Sequence, residues 1–107
     1  MKRGDIWAVK ADRDYLQKPR PAVIVQVRQI SETESVIVCL FTSEENSNLA
    51  TRIMVEPSVE NGLNTTSYIM VEKITALNRS EFGNFIGRLE EKYLSEIDSA
   101  LKDLLGF

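Results

Sequence analysis

The sequence contains no histidine, one cysteine, three prolines and five glycines among its 107 residues. Without histidine there is no imidazole acid or base, no Ser-His-Asp triad and no histidine metal ligand. A single cysteine, Cys39, can form neither an intrachain disulfide nor a structural zinc site. It lies within the longest wholly apolar run, residues 36–41 (VIVCLF), and is expected as a buried small hydrophobe. That run is far too short to span a bilayer, so no membrane partner is expected. Residues 1–10 (MKRGDIWAVK) interleave charge with apolar side chains and lack the apolar core of a signal peptide, which favours the cytoplasm. The glycines are too scattered for a phosphate-cradling loop. Any chemistry therefore falls to Arg, Lys, Asp, Glu, Ser, Thr or Tyr.

What is present suits one globular domain over residues 1–107, with 43% apolar and 27% charged residues. The formal net charge of −3 is unevenly spread. Residues 1–30 hold seven basic and three acidic residues, +4, and the remainder six basic and thirteen acidic, −7. A basic first third on an acidic chain can meet a polyanion locally without coating nucleic acid at large. A solvated basic edge would produce the same imbalance.

Residues 5–9 (DIWAV) alternate and predict a strand, and residues 11–20 (ADRDYLQKPR) predict a polar loop. Residues 22–27 and 36–41 are β-branched runs of strand length, expected to be buried on both faces. Residues 42–50 (TSEENSNLA) form a polar connection, and residues 52–56 a short strand stopped by Pro57. Asn61-Gly62 marks a turn. Residues 67–71 (SYIMV) and 73–77 (KITAL) predict two strands or one bent one. Asn78 with Glu81 resembles a helix N-cap pair and suggests a short helical turn. Residues 84–89 predict a last strand. Leu94, Ile97, Leu101 and Leu104 then recur at helical spacing, giving an amphipathic helix over residues 90–105 that stops at Gly106. The fold class is a β-rich α+β domain. Its expected form is a small barrel or strongly curved antiparallel sheet with a C-terminal helix.

Pro19 and Pro21 restrict their own φ angles and bias Lys18 and Arg20 toward extended backbone. Arg20 thus stands on stiff chain where loop meets strand, and its planar fork of donors suits phosphate oxygens. A strand-edge arginine on a proline-stiffened loop is the plainer reading. Thr42-Ser43 ends the second buried run with two hydroxyls that can hold an anion, although turn chemistry alone accounts for them. Glu72 can act as a general base, or merely as a surface partner of Lys73. Arg3-Gly4-Asp5 spells a cell-adhesion tripeptide and is taken as coincidence. Asn64-Thr65-Thr66 and Asn78-Arg79-Ser80 match a glycosylation pattern without meaning outside secretion.

Together these segments resemble the MazF/PemK family of bacterial toxin endoribonucleases. The likeness runs through Arg3-Gly4-Asp5-Ile6-Trp7, then Arg20-Pro21-Ala22-Val23-Ile24-Val25-Gln26, then the strand ending in Thr42-Ser43. It continues in Ser67-Tyr68-Ile69-Met70-Val71-Glu72-Lys73-Ile74, Thr75-Ala76-Leu77-Asn78 and the helix ending Leu104-Leu105-Gly106, so it covers nearly the whole chain in order. The resemblance implies an SH3-like barrel, a homodimer, and cleavage of single-stranded RNA without metal or other cofactor. In that chemistry the 2′-hydroxyl attacks the adjacent phosphate, leaving a 2′,3′-cyclic phosphate and a 5′-hydroxyl. By position it implies Arg20 and Thr42 as catalytic residues, and Lys18, Arg20, Ser43 and Ser67 as RNA contacts, while Glu72 stays a candidate base because the family's base/acid pair is not carried over whole. It further implies a cognate antitoxin with a disordered tail. The chain departs from the family in lacking the glycine-rich loop before Arg20. It also has Met70 where some members carry an arginine two residues before the late acid. A non-enzymatic alternative is a gyrase poison of the CcdB type, which shares the fold and acts through a Trp-Gly-Ile tail. This chain ends Leu105-Gly106-Phe107, without the tryptophan.

Overall fold

The structure is a computed structural model and describes residues 1–10, 18–27, 33–45 and 50–107. Seven strands form one antiparallel sheet: β1 (Asp5–Val9), β2 (Arg20–Ile24), β3 (Ser35–Thr42), β4 (Arg52–Val55), β5 (Ser67–Met70), β6 (Thr75–Asn78) and β7 (Phe82–Arg88). One helix, α1 (Glu91–Leu105), follows. The sheet order is β4-β5-β3-β2-β1-β7, with β6 also paired to β3. Part of the expected loop over residues 11–20 and of the connection over residues 42–50 lies outside the described residues.

Alternation along the strands splits the apolar side chains between two faces. On one face Ile6, Val23, Cys39 and Phe41 pack with Tyr93, Leu94 and Ile97 of α1. On the other, Val9, Ala22, Ile24, Val36 and Val38 pack with Trp7 and Phe82. The two central runs are thus covered on both sides over most of their length, but Ile37 is exposed, and so is Val27, because β2 ends at Ile24 rather than at residue 27. The helix stripe is why α1 forms at all, since a fifteen-residue helix is marginal alone. Each buried side chain of that stripe contributes about 1.5–3 kcal/mol. Gly106, at φ 79°, ends the helix, and the N–H groups of Gly106 and Phe107 both donate to the Lys102 carbonyl. Burial pushes the Cys39 thiol up to about 12, with the nearby Glu72 charge adding to it, so this residue is an inert hydrophobe.

β5 and β6 are one antiparallel partner of β3, broken in the middle. Thr42 and Phe41 pair with Tyr68 and Ile69, whereas Val38 and Ser35 pair with Thr75 and Asn78. Between the two pairings the register moves by three residues, the length of the intervening 3₁₀ turn Val71–Lys73. Glu72 lies at the centre of that break. The Asn78–Glu81 pair also forms, with the Asn78 N–H donating to Glu81 Oε2 at 3.2 Å, and it caps the short helical turn expected there, a single 3₁₀ turn over Arg79–Glu81.

The sheet is open rather than a closed barrel, with β4 and β7 as its edges. A turn occupies the gap that strand pairing would otherwise close. The Arg88 N–H on β7 donates to the Glu60 carbonyl at 2.9 Å. Next to it, Asn61 is fully buried. Asn61 Oδ1 accepts from the N–H groups of Ser58 and Leu63, each at 3.0 Å, and its Nδ2 donates to the Glu56 carbonyl at 2.9 Å and to Glu90 at 3.2 Å. The predicted Asn61-Gly62 turn is therefore a structural plug, with Gly62 at φ 69°. Arg3-Gly4-Asp5 is likewise structural. Gly4 and Asp5 are buried, and Gly4 exchanges backbone hydrogen bonds with Ile24 and Leu89.

Candidate active site

Arg20 is the first residue of β2 and Thr42 the last of β3. Ala22 pairs with Leu40, and the same antiparallel register carried outward sets Arg20 beside Thr42. Pro21 precedes the first β2–β3 pair, at a strand end where a missing N–H is tolerated. The side chain of Thr42 is partly oriented by its own turn. Its Oγ1 accepts from the Glu44 N–H at 3.1 Å, which leaves the hydroxyl hydrogen to donate elsewhere.

Two adjoining hollows share Arg20, Thr42 and Ser43 in their walls. The first, of about 300 Å³, is completed by Glu44, Arg52, Met70 and Lys73. The second, of about 230 Å³, is completed by Pro21, Phe41, Leu63, Asn64, Thr65 and Ser67. The first is strongly charged, while among the described residues Arg20 is the only charged side chain in the wall of the second. Arg20, Thr42 and Ser43 thus stand where the two hollows adjoin, with charged surface on one side and mostly neutral surface on the other, and their residue types suit an anion.

Ser67 lines the neutral hollow but is buried, and its hydroxyl donates to the Thr65 carbonyl at 3.0 Å. Lys18 is exposed at the approach to β2 and lines neither hollow. Glu72 also lines neither. Its partner is not the adjacent Lys73 but Arg52, twenty residues away. Arg52 Nε donates to Glu72 Oε2 at 2.8 Å, and Arg52 Nη2 lies 2.6 Å from the same oxygen. The Thr51 hydroxyl donates to Glu72 Oε1 at 2.9 Å. Burial raises the Glu72 pKa. Hydrogen bonds from Arg52, from its own backbone and from Thr51 outweigh this, together with the Arg52 charge, and hold it below its ordinary value of 4.5. A carboxylate with both oxygens engaged and lowered proton affinity is better suited to orienting a cation than to taking a proton.

A pH dependence follows. The folded-state pKa is depressed, so the contribution of this group to stability is complete above the unfolded value. It is lost as pH falls through the lower folded value. The difference in thermal midpoint between wild type and Glu72→Gln should therefore be flat from pH 8 to about 5.5 and vanish in more acid solution. A difference that grew toward acid pH would contradict the ion pair.

Arg52 is the residue that the sequence reading missed. It is only 12% exposed at its side chain and walls the charged hollow. Its one sequence signal is its place as the first residue of a short strand. What brings it to the site is cross-strand register, which pairs it with Met70 on β5.

The family model for PemK-like, MazF-like toxins of type II toxin–antitoxin systems matches residues 2–105. A probable endoribonuclease MazF of Mycolicibacterium smegmatis is 39% identical over 106 residues, covering 99% of this chain and 97% of that protein. An endoribonuclease solved in complex with its cognate antitoxin, from a mycobacterial species, superposes with a TM-score of 0.85 at 22% identity, covering 100% and 96% of the two chains. A MazE–MazF complex from Deinococcus radiodurans superposes with a TM-score of 0.76 at 16% identity, covering 99% and 96%. The likeness to the solved structures carries the fold, and the extent of the sequence match carries the membership: this chain belongs to the PemK-like, MazF-like toxin family of type II toxin–antitoxin systems.

Proposed function

We propose that the chain is a toxin endoribonuclease that cuts single-stranded RNA, including messenger RNA, at short sequences without a metal ion. The observation that carries this reading is the meeting of Arg20, Thr42 and Ser43 in the walls of two adjoining hollows, in a chain 39% identical to a probable endoribonuclease. The scissile phosphate sits against Arg20 and Thr42. The RNA 2′-oxygen forms a bond to phosphorus, the bond from phosphorus to the 5′-oxygen breaks, and the 2′-hydroxyl proton leaves while the 5′-oxygen gains one. The products are a 2′,3′-cyclic phosphate and a 5′-hydroxyl. Arg20 stabilises the charge that builds on the phosphorane oxygens, and Thr42 and Ser43 donate to the same group. Lys18 steers the RNA backbone toward this centre, and Ser67 helps to shape the neutral hollow where an unstacked base can lie.

The same reading makes the molecule a single toxin domain over residues 1–107 that works as a homodimer in the cytoplasm and is neutralised by an antitoxin with a disordered tail. Among the described residues no helix is long and apolar enough to cross a membrane. The family match does not favour the gyrase-poison alternative. The Leu105-Gly106-Phe107 ending also has a local explanation, because Gly106 terminates α1.

Purified protein incubated with varied single-stranded RNAs in EDTA should produce fragments ending in a cyclic phosphate. Absence of cleavage across such a set, or cleavage restored only by a divalent metal, would overturn this reading.

A further inference from the structure

We propose that Arg52 is a second substrate-binding guanidinium, held in place by Glu72, and that it takes the RNA phosphate next to the one held by Arg20. This rests on the endoribonuclease reading and extends it to a residue outside the set implied by family resemblance.

Arg52 is placed by backbone geometry and by side-chain bonds together. It opens β4 and pairs with Met70, while Glu72 follows in the turn that interrupts the β5–β6 strand. That break lets the Glu72 carboxylate reach back to β4 and grip Nε and Nη2 of Arg52, with Thr51 fixing its other oxygen. Among the described residues Glu72 is the only side-chain partner recorded for Arg52, and it occupies one edge of the fork. That bond uses Nε and Nη2, and the side chain borders the charged hollow, so the fork's further donors are assigned to the ligand. The Arg52 side chain also borders another hollow, of about 350 Å³, between β4 and α1. Glu96 and Asp103 line that hollow and repel an anion, whereas Arg20 and Lys73 accompany Arg52 in the first one, against Glu44 alone. Electrostatics therefore direct a phosphate toward the Arg20 side. Among the described residues the neutral hollow beyond Thr42 offers no cation besides Arg20, so the RNA backbone continues over Arg52 and Lys73 and a base occupies the neutral side. Glu72 is then a positioning residue.

The test uses one RNA in two forms, a cleavable strand and a 2′-O-methyl strand that binds without reacting. Arg52→Ala should raise KM for the cleavable strand, and Kd for the methylated one, by about tenfold or more, with kcat changed far less. The slope of log affinity against log salt should fall by about 0.7, the loss of one phosphate contact on a single strand. Arg52→Lys should keep that slope while binding more weakly, and it substitutes for the alanine variant if the latter does not fold. Glu72→Gln should raise KM less than Arg52→Ala and leave the pH–rate profile intact. Adding Glu72→Gln to Arg52→Ala should cost nothing further.

Unchanged KM, Kd and salt slope in Arg52→Ala would overturn the proposal. So would loss of the acid limb of the pH–rate profile in Glu72→Gln, since that would make Glu72 the base. Failure of wild type to cleave any RNA would sink the nuclease reading instead, and the methylated-strand affinities would still decide the role of Arg52.

Discussion

Replacing Arg20 with alanine is expected to slow RNA cleavage at saturating enzyme by about a hundredfold or more, equivalent to about 3 kcal/mol of lost transition-state stabilisation. The magnitude follows from where the charge develops. The phosphorane carries more negative charge on its non-bridging oxygens than the starting diester. A guanidinium already fixed at the strand end stabilises that increment without first reorganising. Pro19 and Pro21 reduce the backbone freedom on either side of it. Arg20→Lys should fall between wild type and alanine, because an ammonium keeps the charge but not the planar fork. Thr42→Ala should cost less than Arg20→Ala, since Ser43 is at hand. Arg20 is exposed at the end of β2, and the thermal midpoint of the alanine variant, measured alongside, separates lost chemistry from lost stability. Single-turnover measurement on one cleavable oligonucleotide gives the answer. An alanine variant within a few-fold of wild type would remove Arg20 from the mechanism.

A large stability effect is expected far from that centre, at Gly87. A Cβ placed there would lie 2.5 Å from the Asn61 carbonyl oxygen and 2.6 Å from both the Asn61 carbonyl carbon and the Glu60 oxygen. These are backbone atoms, and they cannot move cheaply. Glu60 accepts from the Arg88 N–H, and the buried Asn61 side chain is tied to residues 56, 58, 63 and 90. Gly87→Ala must therefore push the plug off the sheet edge or distort β7, at a cost of about 3 kcal/mol. In a domain of this size that lowers the thermal midpoint by roughly 10 °C or more. Gly83→Ala, on the same strand, is the control. Among the described residues its Cβ would meet only the Ala8 carbonyl oxygen, at 3.4 Å, and the substitution should be nearly neutral. Equal midpoints for the two variants would show that the Asn61 turn is not held against β7.

These two residues also mark how much of the molecule is legible along the chain. Arg20 was visible because its chemistry and its stiffening prolines are neighbours in sequence. Thr42 was visible because it ends an apolar run whose length is that of a strand. β1 and α1 coincide with their patterns almost to the residue, since periods of two and of about 3.6 are imposed by the backbone itself. Gly87, by contrast, reads as an ordinary glycine in a strand, and the atoms that forbid a side chain there belong to residues 60 and 61. Glu72 and Lys73 invite pairing on paper, yet the carboxylate turns to Arg52 instead.

The sequence by itself determined the class of protein, the succession of short strands along the chain and the terminal helix, and it singled out Arg20 and Thr42 as the candidates to hold a phosphate. These follow from composition, local period and a family likeness spread along the whole chain. Only the tertiary structure decided that the sheet stays open behind an asparagine plug, that β5 and β6 form one interrupted partner of β3, and that Arg52 joins Arg20 at the charged hollow. Each of these depends on strand register, and the contacts that register creates join residues far apart in the chain.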